Sequence, residues 1–148
     1  MERIICLAIG YLFGMFQTSY IIGKIHHMDI RQYGSGNAGT TNALRTLGKK
    51  AGAMTLIGDM LKCVIAILIV DAVFKNRYQE ILPLLGMYTA AGCVLGHNFP
   101  FYLGFRGGKG IAASAGMLLA MDWRVFLICA VIFIGLVAIT RYVSLGSM

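Results

Sequence analysis

The sequence predicts an all-α fold, a polytopic membrane helix bundle with about five spans and cytoplasmic glycine-rich loops. Of the 148 residues, 58% are hydrophobic and only 13% are charged. Soluble domains carry roughly 25% charged residues, so this chain has about half of the usual solubilising charge. Apolar runs recur along the chain with no hydrophilic linker between them, which favours one membrane domain over residues 1–148.

The expected spans follow from the lengths of the apolar runs, because a helix needs ~20 apolar residues to cross the hydrocarbon core. In chain order they are 4–23, 51–74, 81–95, 111–121 and 125–140. The third run is marginal, and the fourth is short enough to be a tilted or re-entrant helix. The first run follows Met1-Glu2-Arg3 without a small-residue cleavage site, so we expect a retained helix rather than a signal peptide.

Lysines and arginines are divided unevenly between the two sides of this topology. Eight lie in the segments that follow the first, third and fifth spans, which this topology places on one side of the membrane: Lys24, Arg31, Arg45, Lys49, Lys50, Arg106, Lys109 and Arg141. Four lie on the other side: Arg3, Lys75, Arg77 and Arg124. Because cytoplasmic loops are enriched in these residues, we expect the N-terminus outside and the two loops and the tail together on the cytoplasmic face. That arrangement suits a single surface site rather than a pore.

The first glycine-rich loop spans residues 34–45 and reads GSGNAGTTNALR. Glycines let successive backbone N–H groups point at one anion. Thr41 or Asn42 is expected to cap a short helix, which places Arg45 on its first turn. A guanidinium there can hold two phosphate oxygens at once. The alternative is a plain cytoplasmic turn whose cations only follow the positive-inside rule.

The second loop begins with Gly96-His97-Asn98-Phe99-Pro100 and ends with Gly107-Gly108-Lys109-Gly110. Its last part leads directly into a helix expected from Ile111, so the helix dipole and the lysine both favour a bound anion. The spacing is not that of a nucleotide-binding phosphate loop, and nucleotide hydrolysis is disfavoured. His97 is available as a base or as a hydrogen-bond donor, and the alternative is that it only shapes the turn.

Several polar residues are expected to be structural or solvated. Asp59 and Lys62 share a helix face within the second span. An ion pair that fixes helix packing is the favoured interpretation, and contact of either side chain with the loop site is the alternative. His26 and His27 are expected to be solvated surface residues.

Small residues inside the apolar runs are predicted to serve helix packing. The cysteines are scattered singly, without metal-ligand spacing, so neither disulfides nor a metal or other cofactor is expected: Cys6, Cys63, Cys93 and Cys129. The glycines expected at close helix contacts are Gly10, Gly14, Gly52, Gly58, Gly86, Gly92, Gly116 and Gly135. The net charge of +7 lies mostly between apolar segments, and no nucleic-acid partner is expected.

Together these segments closely resemble the bacterial acyl-phosphate:glycerol-3-phosphate acyltransferase family of membrane enzymes. The family's first signature is similar to residues 34–42 with Arg45 downstream, and its second is similar to residues 96–100 through 107–110. The Asp59-x-x-Lys62 pair and the tail around Ser144 also match the family pattern. The resemblance runs from near the N-terminus to the last residue.

The resemblance implies transfer of a fatty acyl group from acyl phosphate to the 1-hydroxyl of glycerol 3-phosphate, an early step of phospholipid synthesis. It implies catalytic roles for His97, Asn98, Lys109 and Arg45. It implies substrate or phosphate binding by Ser35, Gly36, Asn37, Thr41, Asn42, Arg45, Gly107, Gly108, Lys109 and Ser144. Because acyl phosphate is already activated, positioning and cationic stabilisation should supply most of the rate. Ser35 lacks an evident base and is disfavoured as a nucleophile.

The resemblance also implies a place in the cell and a set of partners. We expect a multi-pass protein of the bacterial inner membrane that meets acyl phosphate, glycerol 3-phosphate and the lipid bilayer, with an enzyme that supplies acyl phosphate as a candidate partner. Family members continue into a further span and a third signature with His, Asn and Arg, so we expect a C-terminally shortened member, a fragment or a product of premature termination. The alternatives are a non-catalytic homologue that binds phosphate or acyl phosphate, and a small carrier for a phosphorylated metabolite.

Overall fold

The computed structural model describes residues 1–141, so the tail around Ser144 lies outside the described residues. The helices are α1 (Glu2–Gly14), α2 (Thr18–Ile25), α3 (Thr40–Leu47), α4 (Lys49–Phe74), α5 (Leu82–Asn98), α6 (Ile111–Met121) and α7 (Trp123–Thr140). Single turns of 3-10 helix lie at Ile30–Gln32, Gln79–Ile81 and Phe101–Leu103. The described part of the chain contains no β-strand, which confirms the predicted all-α class.

Within residues 1–141, three helical stretches are long and apolar enough to cross a membrane: Glu2–Ile25, Lys49–Phe74 and Trp123–Thr140. At 1.5 Å per residue, α5 is about 25 Å long and α6 about 16 Å. Both are shorter than the ~30 Å hydrocarbon core. The expected total of about five spans therefore stays a prediction.

The first of these stretches is interrupted, whereas the sequence predicted one continuous helix over 4–23. The break falls between α1 and α2, at residues 15–17. Carbonyl groups at the end of a helix have no intrahelical donor, and here Lys62 of α4 donates to the Gly14 and Phe16 carbonyl oxygens at 3.0 and 2.6 Å. The buried Gln17 side chain donates to the His97 carbonyl oxygen at 2.7 Å. These long-range contacts replace the lost helical hydrogen bonds.

The closest helix pair, α1 and α5, is built on glycine. A Cβ atom added at Gly10 or Gly14 would collide with a carbonyl of α5, and one added at Gly92 or Gly96 would collide with a carbonyl of α1. Gly92 lies against Leu7 and Gly96 lies against Tyr11, so the two helices run in the same direction. Two small-x-x-x-small seams thus face each other, as in close helix pairs of membrane proteins.

The predicted packing role is confirmed for most of the glycines, but it is wrong for Gly135. A Cβ added there would meet no described atom within 4 Å, because this stretch of α7 faces outward. Three of the four cysteines are buried as expected, whereas Cys129 on α7 is exposed. Cys63 of α4 and Cys93 of α5 pack with Ala113 of α6 in the core cluster that joins these three helices.

Two helix boundaries differ from the sequence predictions, and both affect the site. The segment Gly96-His97-Asn98 forms the last turn of α5 rather than part of a loop. The helix continues because Phe99 still donates its N–H to Leu95 O at 2.8 Å, and it ends before Pro100. At the first loop, α3 begins at Thr40 with Gly39 as its N-cap. The expected cap at Thr41 or Asn42 is therefore wrong, and Arg45 lies in the last turn of α3, not the first.

Candidate active site

A cavity of about 450 Å³ opens where the two glycine-rich segments meet α4, α6 and α7. Seven of the predicted site residues line it: Ser35, Asn37, Thr41, Asn42, Arg45, His97 and Lys109. The loops also touch each other, because Ala38 donates its N–H to Gly107 O at 3.4 Å. The predicted convergence of the two loops is confirmed within residues 1–141.

Asn42 holds the first loop in shape. Its side chain is 2% exposed, and its Oδ1 accepts from the Ser35 N–H at 2.9 Å. Its Nδ2 donates to the carbonyl oxygens of Ile30 and Tyr33, both at 3.0 Å. Gly34 has φ +60°, and a Cβ there would collide with Asn42 Oδ1. Asn42 therefore fixes the backbone that carries Ser35, in addition to lining the cavity.

The end of the second loop is fastened to α5. Gly107 and Gly108 donate their N–H groups to Asn98 O and His97 O, both at 3.0 Å. A Cβ at Gly107 would collide with the His97 carbonyl, and one at Gly108 would collide with the His97 imidazole. These two N–H groups are thus already bonded to protein, and both glycines act by letting the loop lie against the helix end. Lys109, which follows, lines the cavity.

Asn98 and Gly36 are predicted site residues that do not line the cavity. The Oδ1 atom of Asn98 is buried without a hydrogen-bond partner in the described part of the chain. A Cβ at Gly110, which has φ +80°, would come within 2.8 Å of that oxygen. Gly36, with φ +70°, supplies a turn that L side chains rarely adopt. Asn98 therefore contacts Gly110, which lines the cavity, whereas Gly36 lies in an exposed turn of the first loop.

A buried ionic cluster forms the inner wall of the cavity. Lys62 Nζ lies 3.1 Å from Asp59 Oδ1 and 2.7 Å from His97 Nδ1. The predicted Asp59–Lys62 ion pair is confirmed, and the pair also touches the site, because Asp59 and His97 both line the cavity. Asp59 Oδ1 accepts from Thr18 Oγ1 at 3.1 Å, which ties α2 to the cluster.

Charge is arranged unequally around the cavity. Arg45 and Lys109 line it and make no ion pair with any group among residues 1–141. Asp59, the acidic residue in the lining, lies about 15 Å along α4 from its first residue. The loop end of the cavity is therefore cationic, and its inner end holds the neutralised Asp59–Lys62 pair.

An apolar wall of the cavity and one contact outside it are not predicted by the sequence. Four apolar side chains line the cavity without any signal in their local sequence: Leu56, Ile111, Ala112 and Phe133. Gly39, Thr40 and Gly110 line it as well. Outside the cavity, Arg31 pairs with Asp29 at 2.7 Å and donates to Leu103 O at 2.9 Å, which links the chain before the first loop to the second loop. The Arg31 guanidinium holds the pKa of the Asp29 carboxyl below its usual range.

Residues 4–148 match the family model described as glycerol-3-phosphate acyltransferase. The chain belongs to the glycerol-3-phosphate acyltransferase family. It is 55% identical over 147 residues to the glycerol-3-phosphate acyltransferase of Clostridioides difficile (strain 630), covering 98% of this chain and 71% of that protein. It is 46% identical over 151 residues to the glycerol-3-phosphate acyltransferase of Lactiplantibacillus plantarum, covering 100% of this chain and 69% of that one.

The fold is similar to the crystal structure of PlsY (YgiH), an integral membrane glycerol 3-phosphate acyltransferase. The TM-score is 0.84 against its glycerol 3-phosphate form, at 35% identity, covering 99% of this chain and 71% of that chain. Against its lysophosphatidic acid form the TM-score is 0.81, covering 99% and 70%. These similarities confirm three predictions for this member of the glycerol-3-phosphate acyltransferase family: the family itself, the membrane helix bundle and the enzyme class. The non-catalytic homologue and the carrier are not favoured.

Proposed function

We propose that the cavity transfers an acyl group from acyl phosphate to the 1-hydroxyl of glycerol 3-phosphate, giving 1-acylglycerol 3-phosphate and inorganic phosphate. The single observation that carries this proposal is the composition of the cavity. It combines two cations that lack an ion-pair partner in the described residues with an apolar wall. One substrate is a polar phosphate, and the other joins a phosphate to a hydrocarbon chain.

The loop end of the cavity suits the phosphate groups. Arg45 offers a planar fork of donors and Lys109 a compact charge, and both favour phosphate oxygens. The hydroxyl of Ser35 adds a neutral donor beside them. Cations placed in advance where charge develops on the carbonyl oxygen and on the leaving phosphate lower the barrier.

The apolar wall suits the acyl chain. Leu56 and Phe133 lie on α4 and α7, which are both long and apolar enough to span a membrane. No residue of α7 is buried, so its outer face is available to hydrocarbon. An acyl chain can therefore lie along this wall while its phosphate reaches the loops.

The chemistry needs orientation more than a covalent intermediate. The glycerol hydroxyl oxygen forms the new ester bond to the acyl carbon, the bond from that carbon to the phosphate oxygen breaks, and the hydroxyl proton leaves with phosphate. Holding both substrates in one cavity makes this step effectively unimolecular. Ser35 has no hydrogen bond from its side chain to a base in the described residues, which supports direct transfer over an acyl-serine.

We also propose that the protein lies in the bacterial inner membrane with its N-terminus outside and its site facing the cytoplasm. The cation distribution supports this orientation. The shared direction of α1 and α5 agrees with alternating spans, in which the connections after the first and third spans lie on the same side of the membrane. Soluble glycerol 3-phosphate and an enzyme that supplies acyl phosphate would then meet the site from the same side.

The test is acyl transfer from a long-chain acyl phosphate to labelled glycerol 3-phosphate by purified protein in detergent or lipid cubic phase. Lys109→Ala should lower kcat/KM at least about 100-fold, the usual scale for a group that stabilises a transition-state charge. Lys50→Ala is the matched control, because Lys50 is exposed and does not line the cavity. Equal activity of both variants would contradict the assigned site. Folded protein that binds acyl phosphate without turnover would contradict the activity.

A further inference from the structure

We infer that Lys62 is a positioning residue that fixes the His97 imidazole in its Nε2–H form, so that His97 serves the substrates as a hydrogen-bond donor and not as a base. The inference rests on the proposed function for its consequence in catalysis. Its structural part rests only on the contacts of the buried cluster.

Lys62 is held on all sides by acceptors. Its side chain is 5% exposed, and its Nζ has four partners in the described residues. They are Gly14 O at 3.0 Å, Phe16 O at 2.6 Å, Asp59 Oδ1 at 3.1 Å and His97 Nδ1 at 2.7 Å. The two carbonyls come from the break between α1 and α2, so that break supplies part of the binding site for the ammonium group.

The donor and acceptor roles at His97 follow from this arrangement. A lysine ammonium carries three N–H donors and no acceptor. The atom 2.7 Å from it, His97 Nδ1, must therefore accept. A neutral imidazole has one protonated nitrogen and one acceptor nitrogen, so its proton lies on Nε2. The hydrogen bond at one ring nitrogen thus decides the state of the other.

The ring is also fixed in place. The His97 backbone carbonyl accepts from Gln17 Nε2 at 2.7 Å and from the Gly108 N–H at 3.0 Å. Gly108 lies so close to the imidazole that a Cβ there would collide with Nε2. The histidine is 2% exposed and lines the cavity, and the other charged group near its Nδ1 is Asp59, at 3.9 Å. Rotation of the ring would break the contact with Lys62.

This geometry distinguishes between base and donor, two of the roles that the sequence left open for His97. Nδ1 is occupied by Lys62, and Nε2 already carries a proton, so neither nitrogen is available to take the proton of the attacking hydroxyl. The Nε2–H group is instead a donor toward charge that develops on a substrate oxygen. Lys62 acts through His97 and does not itself touch the substrates.

The direct test is ¹⁵N NMR of histidine-labelled protein in detergent or nanodiscs. The sequence has three histidines, so His26→Gln with His27→Gln leaves His97 as the single signal. We expect a protonated Nε2 and an unprotonated Nδ1 in this background. Lys62→Met should produce a mixture of tautomers, and Lys62→Arg, which keeps a donor, should restore the single form. A protonated Nδ1 in the wild-type background, or a single Nε2–H form in Lys62→Met, would overturn the inference.

Kinetic measurements on His97 variants distinguish a role as hydrogen-bond donor from a role as general base. The amide nitrogen of glutamine can replace an Nε2–H donor, whereas it cannot replace a base. A donor role predicts that His97→Gln stays within about tenfold of wild-type kcat, while His97→Ala loses more. A base role predicts that both variants lose about 10²–10⁴-fold, which would overturn the donor assignment.

The NMR readout does not depend on turnover. Folded wild-type protein that shows the Nε2–H form but no acyl transfer would contradict the proposed function while supporting the action of Lys62. The proposed acyl transfer and the proposed action of Lys62 can therefore be refuted independently of each other.

Discussion

Substitution of Gly92 by alanine should separate α1 from α5 and destabilise the protein. The added Cβ would collide with Leu7 O, a backbone atom that cannot rotate away. Overpacking of this kind costs about 1–3 kcal/mol. Alanine regains about 0.5–1 kcal/mol because it is the better helix former. We therefore expect a net loss of up to about 2.5 kcal/mol in the free energy of unfolding.

The chain supplies a graded series of controls for this substitution. A Cβ at Gly86 would lie 3.7 Å from Ile67 Cγ2, an ordinary contact, so Gly86→Ala should have little effect. A Cβ at Gly135 would meet no described atom within 4 Å, so Gly135→Ala should be neutral or slightly stabilising. The expected order of thermal stability is Gly135→Ala, then Gly86→Ala, then Gly92→Ala.

Buried thiols provide the assay. Cys6, Cys63 and Cys93 are buried, whereas Cys129 is exposed. In a Cys129→Ser background, a fluorogenic thiol reagent therefore reports unfolding of the helix core during a thermal ramp in detergent. If Gly92→Ala melts together with Gly135→Ala, the close α1–α5 contact does not stabilise the fold, and the reasoning is refuted.

Three further predictions concern the site and its supports. Arg45→Lys should lower kcat/KM for glycerol 3-phosphate about tenfold, because the ammonium group loses two-point contact with phosphate, and steady-state kinetics will check it. Asn42→Ala removes three hydrogen bonds, each contributing about 0.5–1.5 kcal/mol, so both the melting temperature and the affinity for glycerol 3-phosphate should fall, as measured by the thiol melt and by KM. The lowered pKa of Asp29 beside Arg31 means that their pair stabilises the fold above the unfolded pKa, about 3.9, and that this stabilisation is lost as pH falls through the folded pKa. Melting temperatures measured against pH should accordingly decline less steeply on the acid side in Asp29→Asn than in wild type.

Much of the site could be predicted because most of its polar and charged residues lie within two short segments of the sequence. Glycines next to arginine, lysine and short polar side chains indicate a phosphate site, and this pattern can be recognised without knowing the tertiary structure. The positions of Ser35, Arg45 and Lys109 around one cavity agree with that prediction. The local conformations were harder to predict, because the start of α3 and the end of α5 each depend on hydrogen bonds with distant segments.

The sequence by itself determined the membrane helix bundle, the family and the residue types that suit phosphate, because hydrophobic length and signature motifs are local properties. Only the tertiary structure brings His97 and Lys62 into contact. They are 35 positions apart, and they meet because the break in the first span opens two carbonyls to Lys62 while glycines let α1 and α5 approach. A hydrogen bond between distant residues depends on helix packing, and no local pattern contains that information.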